Sequence, residues 1–541
     1  MRPRVNKWSQ PVEPPAGPST EGLGREGVLH GDTGAEVARC ANAALAHAHS
    51  WGVRNKMKFA PHKTCAMVIT NKLKYDTPAL SMAGFDIGMV NKVKLLGLTI
   101  DQKLTFNEHT TNICKKAADI YKQLSRAAKI SWGLNREVIH TIYTAVIEPI
   151  VTYAAGAWAP ATKKLGIRKK LGSVQRGFVQ KLCKSYRTVS LNSALLLAGI
   201  LPLDLRIQEA AAIYEARRGS SQFIPGDREI ERMEGFAEAP HPAAQMALEF
   251  ICLADQQLVD SNNVQAVRIF TDGSKIEGKV GAALSLWDNV GEVKSLKLSL
   301  AAYCTVYQAE LLAICKATDV ILKRKEASYG LYSDSMSALQ TLTSHGSLHP
   351  AFEQSKTVVL FWVKAHAGLP GNERADELAK EAALSSRRKP DYDRCPISFI
   401  RRQIRMGSLD EWNRRYVTGG TASVTKMIFP DAIAAYRIVK QVSPTGTLTQ
   451  VLTGHGGFSE YLNRFKCKDS PSCACDASVN ESIPHLVLDC PIYAAERYDL
   501  EQRLDVSLRR EIIADIMKGT NRQIFLKFCV KIAERVIIKN K

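Results

Sequence analysis

The chain has 541 residues, of which 45% are apolar and 23% charged, and this composition indicates globular domains rather than a disordered protein. The 73 Lys and Arg residues exceed the 53 Asp and Glu residues, giving a formal net charge of +20 that favours a polyanionic partner such as nucleic acid. No apolar run approaches the roughly 18–20 residues of a membrane span, so we expect no membrane association. The 13 cysteines lie mostly singly among apolar residues, which predicts a reducing intracellular compartment, the nucleus or the cytoplasm, rather than a disulfide framework.

The first half of the chain reads as a leader followed by a mostly helical region. Residues 1–33 are rich in Pro and Gly, lack the apolar core of a signal peptide and are expected to be disordered. Residues 34–160 contain an amphipathic helix at 36–55, strands at 63–72 and 91–101, and long helices at 107–130 and 135–155. Residues 161–263 are a helical connection that ends in a linker rich in Pro, Gly and charge at 223–242.

From residue 264 to 386 the pattern changes to short strands and helices. The expected strands are 264–274, 279–288, 291–300, 329–334 and 357–366, and the expected helices are 305–325, 335–344 and 372–385. This order predicts an α/β fold with a mixed five-stranded sheet and flanking helices.

Four acidic residues recur in this region, each in its own context: Asp272 in RIFTDGSKIEG, Glu310 in YQAELLAI, Asp334 in LYSDSMSAL and Asp376 in GNERADELAK. We expect Asp272 to end the first, central strand before a Gly-Ser turn, and Asp334 to end a parallel neighbour, which brings the two carboxylates together. Singly, such residues are usually turn or solvated residues. Four in this order predict a site for two divalent cations roughly 3.5–4 Å apart, as phosphodiester hydrolases use.

With these motifs, residues 264–386 resemble the ribonuclease H domain of non-LTR retrotransposon polyproteins. The resemblance implies that the four carboxylates hold two Mg²⁺ (or Mn²⁺) ions for cleavage of the RNA strand in RNA–DNA hybrids, with His366 assisting proton transfer or product release. Ser274 and Gln308 are candidates for the minor groove, where the 2′-hydroxyl distinguishes RNA, and Asn372 and Ser333 are weaker candidates for substrate contacts.

The interval between Asp334 and His366 departs from the resembling domains. It spans only 366 − 334 = 32 residues, and a helix usually found there is expected to be shortened or missing. The alternative function is therefore a catalytically dead, nucleic-acid-binding remnant of a retrotransposon polyprotein.

A cysteine-rich segment follows a helical connector at 387–465. Residues 466–495 contain Cys473, Cys475, His485 and Cys490, whose number and types predict one tetrahedral Zn²⁺, with the H-x4-C pair on one helical face and Cys467 as a spare ligand. The segment resembles the CCHC zinc knuckle of insect-type non-LTR elements, where Gly is common in place of Asp476. C-terminal helices are expected over 496–541.

The region 35–160 resembles the end of a reverse transcriptase, from the last part of the palm through the thumb. The paired carboxylates of a Tyr-x-Asp-Asp motif do not occur in it, so polymerase activity is not expected. The expected partners are RNA–DNA hybrids and RNA, and the sequence leaves the oligomeric state open.

Overall fold

A computed structural model describes residues 28–127, 135–218, 228–231, 249–253, 265, 267–343, 357–385, 389–442 and 444–541. The chain divides into two compact units, Met1–Thr111 and Asn112–Lys541, so the segment predicted at 34–160 does not coincide with one unit. Residues 1–27 of the predicted leader 1–33, most of the linker 223–242 and residues 344–356 of the shortened interval lie outside the described residues.

The described part of the first unit begins with helix α1, Gly34–Arg54, as expected. The Thr33 hydroxyl accepts from the Glu36 backbone N–H and caps the helix, which satisfies one of its unpaired first-turn donors. Short strands follow: β1 (Cys65–Ala66), β2 (Ser81–Met82), β3 (Phe85–Asp86), β4 (Gly88–Met89), β5 (Lys92–Leu95) and β6 (Leu98–Asp101). The predicted strand at 91–101 is therefore a β5–β6 hairpin, and that at 63–72 shrinks to two residues.

Helices dominate residues 107–217. They are α2 (Asn107–Ala127), α3 (Arg136–Ile142), α4 (Glu148–Thr152), α5 (Ala155–Trp158), α6 (Leu165–Leu182), α7 (Leu191–Ala198) and α8 (Leu203–Arg217). The long helix predicted at 135–155 is realised as α3 and α4 joined by a π-helical turn at Tyr143–Ile147.

The central sheet has six strands rather than five. They are β7 (Phe250–Leu253), β8 (Val267–Ile276), β9 (Lys279–Trp287), β10 (Glu292–Leu300), β11 (Ser328–Ser333) and β12 (Thr357–Val363), in the order β10-β9-β8-β11-β12-β7. The unexpected β7 pairs in parallel with β12 and extends the sheet upstream of the predicted boundary at 264. Its four residues are too few to show the alternation by which strands are recognised.

Helices cover both faces of this sheet: α9 (Val306–Lys323), α10 (Met336–Thr343) and α11 (Pro370–Leu384). The side chains of Val267 and Ile269 pack with α9 and α10, whereas Phe270 points to the opposite face and packs near α11. On that face the rings of Phe270, Tyr332 and Phe361 stack across three parallel strands, with neighbouring centroids 4.7 and 4.6 Å apart.

The remaining helices are α12 (Ile397–Thr418), α13 (Ser423–Ile428), α14 (Ala432–Val439), α15 (Gly446–Thr453), α16 (Ser459–Arg464), α17 (Ala494–Leu504), α18 (Ile513–Lys518) and α19 (Arg522–Lys539). Between α16 and α17 lie the short antiparallel strands β13 (Ser472–Cys473) and β14 (Asp476–Asn480).

No single helix of the described ranges is long and apolar enough to cross a membrane. One bent pair of helical segments, Arg136–Thr152 with Ala155–Lys163, is long and apolar enough for a membrane span by length and composition only.

Candidate active site and cysteine cluster

Asp272 lies inside strand β8 and not at its end, which corrects the sequence prediction. The strand continues to Ile276, and Gly273 and Ser274 pair with β9 instead of forming a turn. The parallel pairing of β8 with β11 nevertheless stops at Thr271. Asp272 therefore lies at the point where strands β8 and β11 separate, which is the position expected from their parallel pairing.

Asp334 directly follows Ser333, the last residue of β11, and Glu310 lies in the second turn of α9. Carboxylate oxygens of Asp272, Glu310 and Asp334 all lie within 4.8 Å of one another. Three acidic groups, one inside strand β8, one directly after strand β11 and one in helix α9, thus lie close together.

Gly273 makes the close approach of α9 to β8 possible. A Cβ at this position would lie 2.7 Å from the Glu310 backbone nitrogen and 2.9 Å from the Ala309 Cβ. The backbone N–H of Gly273 also donates a hydrogen bond to the Glu310 carboxylate. The glycine therefore sets the distance at which Glu310 joins Asp272.

Burial and mutual repulsion raise the pKa values of the three carboxyl groups. Desolvation, followed by the charges of Asp334 and Asp376, raises the pKa of Asp272 to about 7. Desolvation and the charges of Asp272 and Asp334 raise the pKa of Glu310 to about 9. Desolvation also raises the pKa of Asp334. The buried Oε2 of Glu310 has no hydrogen-bond partner among the described residues, so this oxygen is free to accept a cation.

Asp376 belongs to a second, neighbouring group on α11. Its carboxylate lies within 4.8 Å of the ligand atoms of His366 and Glu373. The His366 Nδ1 is 3.9 Å from Asp376 Oδ2 and 3.8 Å from Glu373 Oε2, and its side chain is 70% exposed. The charge of Asp376 raises the pKa values of Asp272 and Asp334, so Asp376 lies within electrostatic reach of these two carboxylates.

Sequence reasoning missed Glu373 and Lys380. Glu373 is three residues before Asp376 and Lys380 is four after it, so all three share one face of α11. The Lys380 Nζ lies 2.6 Å from Asp376 Oδ2. Their spacing from Asp376, three residues before it for Glu373 and four after it for Lys380, could have indicated that they share its helix face. Charged residues at such spacings are nevertheless common on solvated helices.

The predicted substrate residues divide into two groups. Ser274 lies two residues after Asp272, on the same face of β8, and is partly exposed. Asn372 is buried, and its side-chain hydrogen bond to Asp334 offsets part of the rise that desolvation causes in the pKa of that group. Its Oδ1 has no partner among the described residues.

Gln308 caps helix α9. It is 5% exposed, and its Oε1 accepts from the Thr305 backbone N–H while the Thr305 hydroxyl accepts from the Gln308 N–H, which makes a capping box at the start of α9. Its contact with a minor groove stays a prediction. Ser333 is fully buried, and its hydroxyl accepts from the Ser335 N–H in the turn that carries Asp334.

The four predicted zinc ligands converge. Ligand atoms of Cys473, Cys475, His485 and Cys490 all lie within 4.8 Å of one another. The Sγ atoms of Cys473 and Cys490 are 3.8 Å apart, and the Cys475 Sγ is 3.1 Å from the His485 Nε2. Cys467 is exposed and stands outside this group.

A π-helical turn, and not an α-helical face, brings His485 and Cys490 together. Five residues along an α-helix would rotate the second side chain about 140° away from the first, so the predicted shared face was wrong. The turn His485–Asp489 widens the helix, and the Cys490 N–H donates to the His485 carbonyl at 2.8 Å.

Asp476, at the position where relatives commonly carry Gly, is not strained. It lies outside the left-handed region and begins β14, and its Oδ1 accepts hydrogen bonds from the Ser478 N–H and hydroxyl.

The chain is similar to known ribonucleases H and to retrotransposon polyproteins. The sequence-family model of RNase H matches residues 346–384, which include His366, Glu373 and Asp376. A Pol polyprotein from the type-1 retrotransposable element R1 2 of Nasonia vitripennis is 27% identical over 200 residues, covering 36% of this chain and 48% of that protein. A ribonuclease H of Campylobacter jejuni is 29% identical over 142 residues, covering 23% of this chain and 96% of that enzyme.

A solved structure of LC11-RNase H1 in complex with an RNA/DNA hybrid is 18% identical and covers 22% of this chain and 99% of that one, with a TM-score of 0.18. The chain spans about half the length of the R1 2 polyprotein, 48% of it. The chain therefore carries a ribonuclease H domain, and it is related to the polyproteins of R1-type non-LTR retrotransposons.

Proposed function

We propose that the chain cleaves the RNA strand of RNA–DNA hybrids endonucleolytically, with Asp272, Glu310, Asp334 and Asp376 holding two Mg²⁺ ions, for which Mn²⁺ can substitute. The observation that carries this proposal is the convergence of three carboxylates within 4.8 Å, with Asp376 close enough to raise the pKa of Asp272. Without a cation, the buried carboxylates repel one another, and their pKa values are raised by desolvation first and by this repulsion second.

The donor set fits a hard divalent cation. All four groups are carboxylates, which magnesium prefers to nitrogen or sulfur ligands. The unpartnered Oε2 of Glu310 is a buried acceptor that a cation would satisfy. When bound, the two ions supply the positive charge that orients water at the scissile phosphate and offsets the charge that develops there.

The remaining residues hold the reacting groups in place. Asn372 fixes the orientation of Asp334 through its side-chain hydrogen bond. His366 is exposed beside Asp376 and Glu373, where an imidazole can carry a proton to or from solvent during product departure. Ser274, partly exposed on the strand of Asp272, is placed to contact the 2′-hydroxyl in the minor groove.

The second part of the proposal is one structural Zn²⁺ held by Cys473, Cys475, His485 and Cys490. A tetrahedral zinc with Zn–S bonds of about 2.3 Å keeps its sulfurs about 3.8 Å apart. The Sγ atoms of Cys473 and Cys490 have that separation, 3.8 Å. This segment and the basic surface of the chain are proposed to hold RNA and RNA–DNA hybrids by charge.

Selectivity among nucleic acids tests the proposal. Purified chain is incubated with Mg²⁺ and three end-labelled duplexes or strands of one sequence: the RNA–DNA hybrid, single-stranded RNA and duplex DNA. We expect internal cuts in the RNA of the hybrid alone. A hybrid that is bound but stays intact would support the alternative, a nucleic-acid-binding remnant.

A further inference from the structure

A row of aromatic rings lies on the surface between the α6–α7 loop and α16, and its last ring directly precedes the cysteine-rich segment 466–495 in sequence. The ring centroids of Tyr186 and Tyr461 are 6.0 Å apart, and those of Tyr461 and Phe465 are 4.8 Å apart. We call these three residues the aromatic platform. Tyr186 is 45% exposed and Phe465 43% exposed, so part of each outer residue reaches solvent.

The platform is fixed by contacts between segments that are distant in sequence. The Thr188 hydroxyl lies 2.7 Å from the Tyr461 hydroxyl and 3.0 Å from the His455 Nδ1. The His455 ring packs at 5.1 Å from the ring of Tyr461. Burial and the nearby Arg464 lower the pKa of His455. These contacts hold the ring of Tyr461 in place, and the rings of Tyr186 and Phe465 pack beside it.

Basic residues surround the platform. Residues 181–188 (KLCKSYRT) and 462–468 (LNRFKCK) each contain three basic residues and no acidic one. Lys184, Arg187, Arg464 and Lys466 are exposed. The Arg464 guanidinium lies 6.0 Å from the centre of the Phe465 ring. Positive charge thus alternates with exposed aromatic faces along both segments.

This alternation is suited to a single strand of nucleic acid. A single strand exposes base faces that can stack on aromatic rings while its phosphates meet basic side chains, whereas a duplex hides its base faces inside the stack. Scattered aromatic residues on a surface are ordinary, but a fixed row of rings within two basic segments is not accounted for by packing. Tyr186 and Phe465, the two exposed rings of the row, are the residues on which bases would stack.

We propose that the aromatic platform binds single-stranded RNA or DNA by stacking two bases on Tyr186 and Phe465, with the flanking Lys and Arg residues holding the phosphates. The inference rests on the proposed nucleic-acid partner but does not require cleavage. It predicts a binding site that prefers single strands, in addition to the site for hybrids at the carboxylates.

The test measures fluorescence anisotropy of labelled single-stranded RNA, single-stranded DNA and the corresponding hybrid with the whole chain, in magnesium-free buffer that contains zinc. Tyr186→Ala and Phe465→Ala should each weaken single-strand binding roughly tenfold while changing hybrid binding little. Phe465→Trp and Tyr186→Phe, which keep a ring, should bind as wild type does. The control is Tyr498→Ala, which removes a ring that is 64% exposed on α17 and should change nothing.

A charge variant tests the binding of phosphates separately. Arg187→Gln combined with Arg464→Gln should lower the slope of log affinity against log salt by about 1.4 for single strands, because each phosphate that is no longer neutralised lowers it by about 0.7. Zinc content and thermal unfolding of each variant show that it is folded.

The outcomes separate this inference from the proposed function. The proposed binding at the aromatic platform is overturned if Tyr186→Ala and Phe465→Ala bind single strands as tightly as wild type does. It is also overturned if the control Tyr498→Ala loses as much affinity as they do. Neither result bears on hybrid cleavage. An equal loss of hybrid affinity in the platform variants overturns the preference for single strands. A wild-type chain that binds no single strand also overturns it, whereas failure to cut a bound hybrid bears only on the proposed cleavage.

Discussion

The backbone N–H of Gly273 donates a hydrogen bond to the carboxylate of Glu310. A side chain on Gly273 would collide with the backbone of Glu310, because its Cβ would lie 2.7 Å from the Glu310 nitrogen. One glycine thus provides both the space and a hydrogen bond for the acidic residue that α9 brings to the sheet. The geometry of the site depends on this glycine as much as on the carboxylates themselves.

We therefore expect Gly273→Ala to reduce both stability and cleavage. The added methyl group must displace α9 by several tenths of an ångström, because the atoms in its way belong to the backbone of Glu310 and to Ala309. Overpacking of this kind costs about 1–3 kcal/mol, and the shift moves Glu310 away from Asp272. Urea unfolding and hybrid cleavage measure the two effects.

The matched control is Gly166→Ala on α6, where an added Cβ meets nothing within 4 Å. It should leave cleavage unchanged and stability equal or slightly higher. A Gly273→Ala chain as stable and as active as this control would contradict the proposed role of Gly273.

The raised pKa values predict how stability depends on pH when magnesium is absent. Asp272 and Glu310 have pKa values of about 7 and about 9 in the folded chain, above the ordinary carboxyl range near 4. Between these limits the folded state holds protons that the unfolded state has released, so stability falls as pH rises from about 4 to about 9. Asp272→Asn and Glu310→Gln remove the ionising groups, so each variant should melt higher than wild type at about pH 8 and gain little at about pH 5.

Thermal unfolding in magnesium-free buffer with zinc present measures this pH dependence. Saturating Mg²⁺ should reverse the order of wild type and variants, since only wild type gains a bound cation. A lower melting temperature for Asp272→Asn at about pH 8 without magnesium would show that the cluster is not under electrostatic strain.

The cysteine cluster predicts one zinc per chain. Cys475→Ser with Cys490→Ser should lose the metal and open residues 466–495 to proteolysis, because so short a segment has little core of its own. Cys467→Ser is the matched control, since Cys467 is exposed and outside the cluster, and it should keep one zinc. Elemental analysis decides the question: zinc retained in the double variant, or lost with Cys467 alone, would refute the ligand set.

The chain should bind nucleic acid with a steep salt dependence and add no nucleotides to a primer. The formal net charge of +20 implies release of counterions on binding, so affinity falls as salt rises. Polymerisation needs paired carboxylates to activate a primer end, and residues 34–160 contain no Tyr-x-Asp-Asp motif. Primer extension on an RNA template is the measurement, and any templated addition of nucleotides would contradict the expected lack of polymerase activity.

Features that depend on the order and spacing of the strands could be predicted from the sequence. The parallel pairing of β8 with β11 follows from the alternation of strands and helices, and it brings Asp272 and Asp334 together even though β8 runs four residues past Asp272. Strand β7 escaped prediction because four residues carry too little periodicity. The capping role of Gln308 was not predicted. A Thr-x-x-Gln pattern before an apolar run is a signal for the start of a helix, but the same residue occupies a position suited to substrate contact.

The zinc segment was predicted by ligand type but not by geometry. His485 and Cys490 meet through a π-helical turn, which no α-helical periodicity reveals. Glu373 and Lys380 flank Asp376 at helical spacing, but the packing of α11 against β8 and β9 decides that this face lies beside Asp272. Such tertiary contacts cannot be derived from the residues of one helix.

The most direct test of the proposed cleavage compares wild type, Asp272→Asn and Asp319→Asn on a labelled hybrid at saturating Mg²⁺. Asparagine keeps the shape of the aspartate and removes the charge that holds the cation. Asp319 lies on α9 but is paired with Lys316 at the surface, so its substitution controls for loss of a carboxylate elsewhere. We predict cleavage by wild type and Asp319→Asn and none by Asp272→Asn; a hybrid left intact by wild type, or cut equally by Asp272→Asn, would contradict the proposal.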